Sequence, residues 1–220
     1  MSSPTMMPMS LEEIAQAVQG RLIAGTAAID TPVATSTFTD SRQIVEGSVF
    51  VAIAGERVDG HDYVSKVGAQ GAVAAIVDHE IDGAGVPQIV VEDTVLALGA
   101  LAKHNIERRR ALETPFTVIG ITGSVGKTTT KDLMKALLAH IGPTIAPVGS
   151  FNNEIGLPLT SLKVHAETRF LVAEMGANHV GEIAVPAHNQ CQVHIRFWPQ
   201  THRLLAGAPV TAACRESYAD

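Results

Sequence analysis

One segment, Gly120-Ile-Thr-Gly-Ser-Val-Gly-Lys-Thr128, limits what this chain can fold into more than any other. It grows out of Phe116-Thr-Val-Ile-Gly-Ile-Thr122, a near-continuous apolar run of the kind that a parallel strand buried on both faces requires. It leads into Thr128 to Ile141, where Leu133, Met134, Leu137, Leu138 and Ile141 fall at helical spacing and predict one apolar stripe. Strand, glycine-rich turn and helix in that order predict a phosphate-binding loop. Glycines let successive amides converge on phosphate oxygens, and the helix start adds the positive end of its dipole. The candidate loop is Gly123, Ser124, Val125, Gly126, Lys127, Thr128 and Thr129, with Lys127 reaching the β- and γ-phosphates and the Thr128 hydroxyl binding Mg²⁺. The strict pattern wants glycine at position 121, where Ile121 stands, so the loop is a variant.

A buried strand needs a core around it, and 220 residues with 46% hydrophobic and 17% charged side chains supply one. A mainly disordered chain is excluded. The formal charge of −6, from 16 basic and 22 acidic residues, argues against a nucleic-acid partner, which needs a basic face to displace counterions. The triplet Arg108-Arg109-Arg110 is the one dense basic run, and it reads as the solvated face of a helix. No stretch approaches 18 uncharged apolar residues, and Met1 to Met9 lacks both a basic leader and an apolar core, so neither membrane insertion nor export is expected. Two cysteines, Cys191 and Cys214, exclude a disulfide framework and fit a cytoplasmic location.

Residues 1–9, with four methionines, read as a disordered tail. Ser10-Leu-Glu-Glu13 is a capping-box pattern and starts a helix that Gly20 ends. Strands are predicted at Val33 to Phe38, Ser48 to Ile53, Ala72 to Val77 and Gln88 to Val91, followed by a helix capped at Asp93 or Thr94. Residues 10–113 thus form a small N-terminal α/β domain, and Thr114-Pro115 a hinge. Residues 116–184 read as an incomplete doubly wound parallel-sheet P-loop ATPase domain, with further strands at Thr144 to Ala146 and Arg169 to Ala173. Glu174 then stands at the carboxyl end of a strand, where it can complete a Mg²⁺ shell begun by Thr128. Two more motifs gather polar groups beside glycines: Phe151-Asn-Asn-Glu-Ile-Gly-Leu-Pro158 and Met175-Gly-Ala-Asn-His-Val-Gly-Glu-Ile183. In the first, Asn152 and Asn153 can read the edges of a nucleotide or substrate.

Gly123 to Thr129, Asn152 to Pro158 and Glu174 to Ile183, in this order and spacing, resemble the ATP-dependent Mur ligases of bacterial peptidoglycan synthesis, and within them the branch that adds D-alanyl-D-alanine. Asp40-Ser-Arg42, Gly47 to Gly55 and Asp59-Gly-His61 resemble that family's domain for the UDP-sugar substrate. The resemblance covers about residues 10 to 184 and implies a reaction in two steps. The terminal carboxylate of UDP-N-acetylmuramoyl-tripeptide takes the γ-phosphoryl group of ATP, and the amine of D-alanyl-D-alanine displaces phosphate to form an amide. Lys127 and the loop amides would hold ATP, Thr128 and Glu174 would bind Mg²⁺, and Ser41, Arg42, Asp59 and His61 would bind the UDP substrate. Asn152, Asn153, Asn178 and His179 would line the cleft, the last two with Lys127 and Glu174 as catalytic residues. The same resemblance implies a cytoplasmic monomer serving cell-wall biogenesis, cell shape and division. Two alternatives stand beside it: a non-catalytic nucleotide-binding fragment, and the sister ligase that adds lysine or diaminopimelate.

Residues 185–220 depart from the family pattern. From 183 to 215 there are 33 residues without an acidic side chain and without clear periodicity, which suggests a truncated or frame-shifted product whose last 36 or so residues are not family sequence. A metal site of His188, Cys191, His194 and Cys214 is a rival reading of the same stretch.

Overall fold

The computed structural model describes residues 6–23, 33–123, 125–149 and 153–175, together with the backbone of a strand at 193–197. The chain forms two compact units. The first comprises 1–115 and 154–168, the second 116–153 and 169–220.

The first unit opens with helix α1 (Leu11–Ala17), whose N-cap Ser10 accepts the Glu13 amide, and strand β1 (Arg21–Ile23). Strands β2 (Ser36–Phe38) and β3 (Ser48–Val51), the short helix α2 (Val64–Val67), and strands β4 (Ala72–Val77) and β5 (Gln88–Val90) follow. Helix α3 (Thr94–Arg110) is capped by Asp93, which accepts the amides of Val95 and Leu96. The sheet runs β1-β5-β4-β3-β2, parallel except for β1, which pairs antiparallel with β5 and was not foreseen. Alternation splits β3 between two cores. Val49 and Val51 pack with Ile14, Leu98 and Leu101, while Phe50 and Ala52 pack with Val64 and Val67.

Three expectations for this unit need correction. Met6, Met7 and Met9 are buried, and Met9 bridges to Ala34, so residues 6–9 are part of the core rather than a tail. Methionine's flexible, apolar side chain suits it to filling such gaps. Arg109 is 1% exposed, not part of a solvated face. Its guanidinium donates to the carbonyls of Thr168, Thr114 and Pro115 at 3.0, 3.3 and 3.1 Å, so one side chain holds both stretches of chain that leave this unit. Residues 154–168, placed by sequence with the ATPase domain, belong here instead: helix α5 (Gly156–Ser161) packs on α3. Asn105 explains the attachment. Its side-chain amide donates to the carbonyls of Ser161 and Val164, and its Oδ1 accepts the Met7 amide, so a fully buried polar group is satisfied from two distant segments.

The second unit is a parallel sheet in the order β7 (Thr144–Ile145), β8 (Phe170–Glu174), β6 (Thr117–Gly123) and β9 (Val193–Phe197), with helix α4 (Lys127–Ala139) following β6. The α4 stripe divides. Met134 and Leu138 pack toward Ile119, Ile121 and Val172, but Leu133, Leu137 and Ile141 are more than half exposed. Strand β9 corrects the reading of the tail as patternless, because Val193-His-Ile-Arg-Phe197 alternates apolar and polar over five residues and pairs in register with Ile119 to Gly123. The remaining residues of the proposed tail metal site lie outside the described residues, as does the side chain of His194.

Candidate functional site

Strands β6 and β8 are neighbours, with Ile121 opposite Glu174, so the turn after β6 and the end of β8 open on the same sheet edge. Parallel α/β sheets collect ligands at this carboxyl edge. Gly126 sits there as the N-cap of α4 with φ of +78°, a left-handed conformation that costs glycine little. Glycine also brings no side-chain acceptor to the cap of this 13-residue helix, whose positive dipole end favours an anion at the turn. Val125 is exposed, and Lys127 and Thr128 are half-buried.

Thr128 donates its hydroxyl to Glu174 Oε1 at 3.2 Å, and Glu174 itself is 1% exposed. A hydroxyl and a carboxylate in contact, on the turn of one strand and the end of the next, form an all-oxygen donor set of the type hard divalent cations prefer. The residues present therefore fit Mg²⁺ beside a polyphosphate. Lys131, one turn after Lys127 and 1% exposed, was not anticipated. Its ammonium donates to the carbonyls of Pro147 at 3.1 Å and Gly149 at 2.7 Å, and pairs with Asp132 at 3.0 Å. It thereby fastens the segment before Asn153 to the helix that carries the loop. Thr129 is exposed on the first turn of α4, and Asn153 is exposed at the end of that segment. Ser124, Asn152, Asn178 and His179 lie outside the described residues.

In the first unit the candidate substrate residues also follow parallel strand ends. Asp40 caps the turn Ser41–Gln43 after β2 and grips Arg42 through two guanidinium bonds of 2.9 and 2.8 Å. Those bonds and the Arg42 amide hold the Asp40 carboxyl well below the usual carboxylate range. Ser41 is half-buried, and the Arg42 side chain is largely exposed. Gly60 is needed where it stands, because a Cβ would lie 2.6 Å from the Ile53 nitrogen. Asp59 accepts the His61 amide and the His61 ring Nδ1, both of which lower its carboxyl pKa. His61 Nε2 in turn accepts the Asp78 amide at 3.3 Å. The His61 side chain is 6% exposed, and both of its ring nitrogens have hydrogen-bond partners within the unit. An imidazole inside a protein is tolerated only when its nitrogens are satisfied. Of the four candidate substrate residues, Ser41, Arg42 and Asp59 reach solvent.

Comparison with known proteins places both matched segments in one family. Residues 35–106 match the profile described as "Mur ligase family, catalytic domain", and residues 121–195 match "Mur ligase middle domain". The chain belongs to the Mur ligase family. Among its Mur ligase relatives, the UDP-N-acetylmuramoyl-tripeptide–D-alanyl-D-alanine ligase of Escherichia coli (strain K12) is 37% identical over 179 residues, spanning 81% of this chain and 37% of the relative. The ligase of the same name from Haemophilus influenzae is 41% identical over 183 residues, with 81% and 38% covered. A crystal structure of MurF from Acinetobacter baumannii superposes with a TM-score of 0.75 at 36% identity, over 87% of this chain and 41% of that one. MurF from Thermotoga maritima in complex with ADP gives 0.58 at 35% identity, over 69% and 34%. The chain thus spans about two fifths of the length of these Mur ligases. The middle-domain match extends to residue 195, eleven residues past the boundary drawn at 184. No helix among the described residues is long and apolar enough to cross a membrane.

Proposed function

We propose that this chain carries the UDP-substrate unit and the triphosphate-binding edge of an ATP-dependent amide ligase that adds D-alanyl-D-alanine to UDP-N-acetylmuramoyl-tripeptide. The observation that carries the reading is the 3.2 Å contact of Thr128 with buried Glu174 at adjoining strand ends, directly after a turn whose Gly126 caps helix α4 in a left-handed conformation. The family membership and the ligase names of the relatives support the choice of reaction.

In this reading the first-turn amides of α4 and the Lys127 ammonium hold the β- and γ-phosphates of ATP. Thr128 and Glu174 hold Mg²⁺, which supplies positive charge against the transferring phosphoryl group. Two anions, the tripeptide carboxylate and the triphosphate, must approach each other, so fixed positive charge at this edge lowers the barrier most. Asn153, with Asn152, Asn178 and His179, lines the acceptor side. Ser41 and Arg42 bind the UDP end, while Asp59 and His61 brace the strand ends beside them. The chain works as a monomer in the cytoplasm, in cell-wall biogenesis.

The test is phosphate release by the purified full chain with ATP, Mg²⁺, UDP-N-acetylmuramoyl-tripeptide and D-alanyl-D-alanine, each omitted in turn, beside ATP binding by calorimetry. Lys127→Ala should abolish ATP binding, and unchanged affinity would remove the loop from the reading. ATP binding without release that depends on D-alanyl-D-alanine would identify a nucleotide-binding module instead of a ligase.

A further inference from the structure

After β3 and β4, two side chains that the ligase reading does not use, Asp78 and His79, stand beside His61. His61, Asp78 and His79 each offer one ligand atom, and these atoms all lie within 4.8 Å of one another. We propose that they form a binding site for a divalent first-row transition metal, with two imidazoles and one carboxylate as ligands and Asp59 as the group that orients His61.

His61 carries the argument. Its ring is buried, and the Nδ1–H is fixed by Asp59 Oδ1 at 2.6 Å, which turns the Nε2 lone pair toward Asp78. A carboxylate on the far nitrogen is the usual partner of a metal-bound histidine, since it sets the tautomer and raises the basicity of the ligating nitrogen. Nε2 lies 3.2 Å from Asp78 Oδ1, so two lone-pair-bearing atoms face each other. At metal bonds of about 2.1 Å, neighbouring ligand atoms stand about 3.0 Å apart in an octahedron and about 3.4 Å apart in a tetrahedron, and this pair falls between the two.

His79 supplies the third ligand after a local movement. Its Nδ1 is 2.5 Å from Asp78 Oδ1, closer than two ligands of one ion can be, and its ring stacks on His61 with centroids 4.8 Å apart. The His79 side chain is 64% exposed and can turn about its own torsions to open that distance. The ion would also displace the 3.3 Å bond from the Asp78 amide to Nε2, and that amide is near enough to the surface to turn to water. Imidazole ligands favour Zn²⁺, Co²⁺ or Ni²⁺ over Mg²⁺, so the site differs in chemistry from the all-oxygen pair of Thr128 and Glu174.

The experiment titrates the chelator-treated full chain with Co²⁺, read by visible absorption, and with Zn²⁺, read by calorimetry. One equivalent should bind. His79→Ala and Asp78→Asn, both at exposed positions that leave the buried ring in place, should each weaken it at least tenfold. Asp59→Asn should weaken it by about 10- to 100-fold, because the His61 ring loses the carboxylate that orients it. A double variant His188→Ala/Cys191→Ala should leave this binding unchanged. Absence of saturable binding overturns the proposal, and so does binding that survives His79→Ala and Asp78→Asn. ATP binding measured with Mg²⁺ alone is a separate readout, so the loop reading and the metal site can fail independently.

Discussion

Replacing Arg109 by methionine keeps most of the aliphatic bulk of the side chain and deletes its donors. In the structure those donors serve three carbonyls: Thr168 through Nε at 3.0 Å in a buried setting, and Thr114 and Pro115 through the two terminal nitrogens at 3.3 and 3.1 Å nearer the surface. Bonds to a charged donor contribute about 1.5–3 kcal/mol when buried, and an orphaned buried carbonyl costs about 1–3 kcal/mol. Against this, the charge itself is desolvated. Burial pushes the Arg109 pKa down, so methionine recovers part of the loss. The Thr168 bond dominates, and the net expectation is a destabilisation of about 3 kcal/mol. For a unit of this size that corresponds to a fall in Tm of roughly 10 °C. Urea unfolding followed by far-UV circular dichroism measures it, with Arg57→Met, at an exposed position, as the control expected to change stability by less than about 0.5 kcal/mol. If Arg109→Met also stays within about 0.5 kcal/mol of the wild type, the three bonds only offset the cost of burying the charge, and the clamp contributes no net stability.

Lys131→Met should lower the stability of the second unit by about 2 kcal/mol, because the Pro147 and Gly149 carbonyls lose their donor, and urea unfolding that shows no loss would refute it. Acid should weaken the first unit. Asp40 and Asp59 have depressed carboxyl pKa values, so the unfolded chain takes up protons first and stability falls as the pH drops through about 4, with no loss from this source above about pH 5. Asp40→Asn should flatten that decline, and a stability that rises on acidification would contradict the sign.

Local physics made the second unit's central feature legible. A strand buried on both faces has to be apolar throughout, a phosphate turn has to be glycine-rich, and a helix that starts there needs no side-chain cap, so Phe116 to Thr128 could be read residue by residue. The same holds for Ser10 and Asp93, whose capping bonds reach only two or three residues along the chain. The split of α4 was not legible, because periodicity counts apolar residues but not what they face.

Sequence alone determined the loop, the strand and helix that flank it, and the family. The tertiary structure decided which polar groups lie inside: Asn105, Arg109 and Lys131 are buried only because carbonyls 16 to 59 residues away arrive to receive their hydrogens. It also decided that His61 faces inward between Asp59 and Asp78, and that Glu174 meets Thr128 across 46 residues. Hydrogen bonding between distant segments depends on distances and directions set by packing, and no pattern within a local window encodes them.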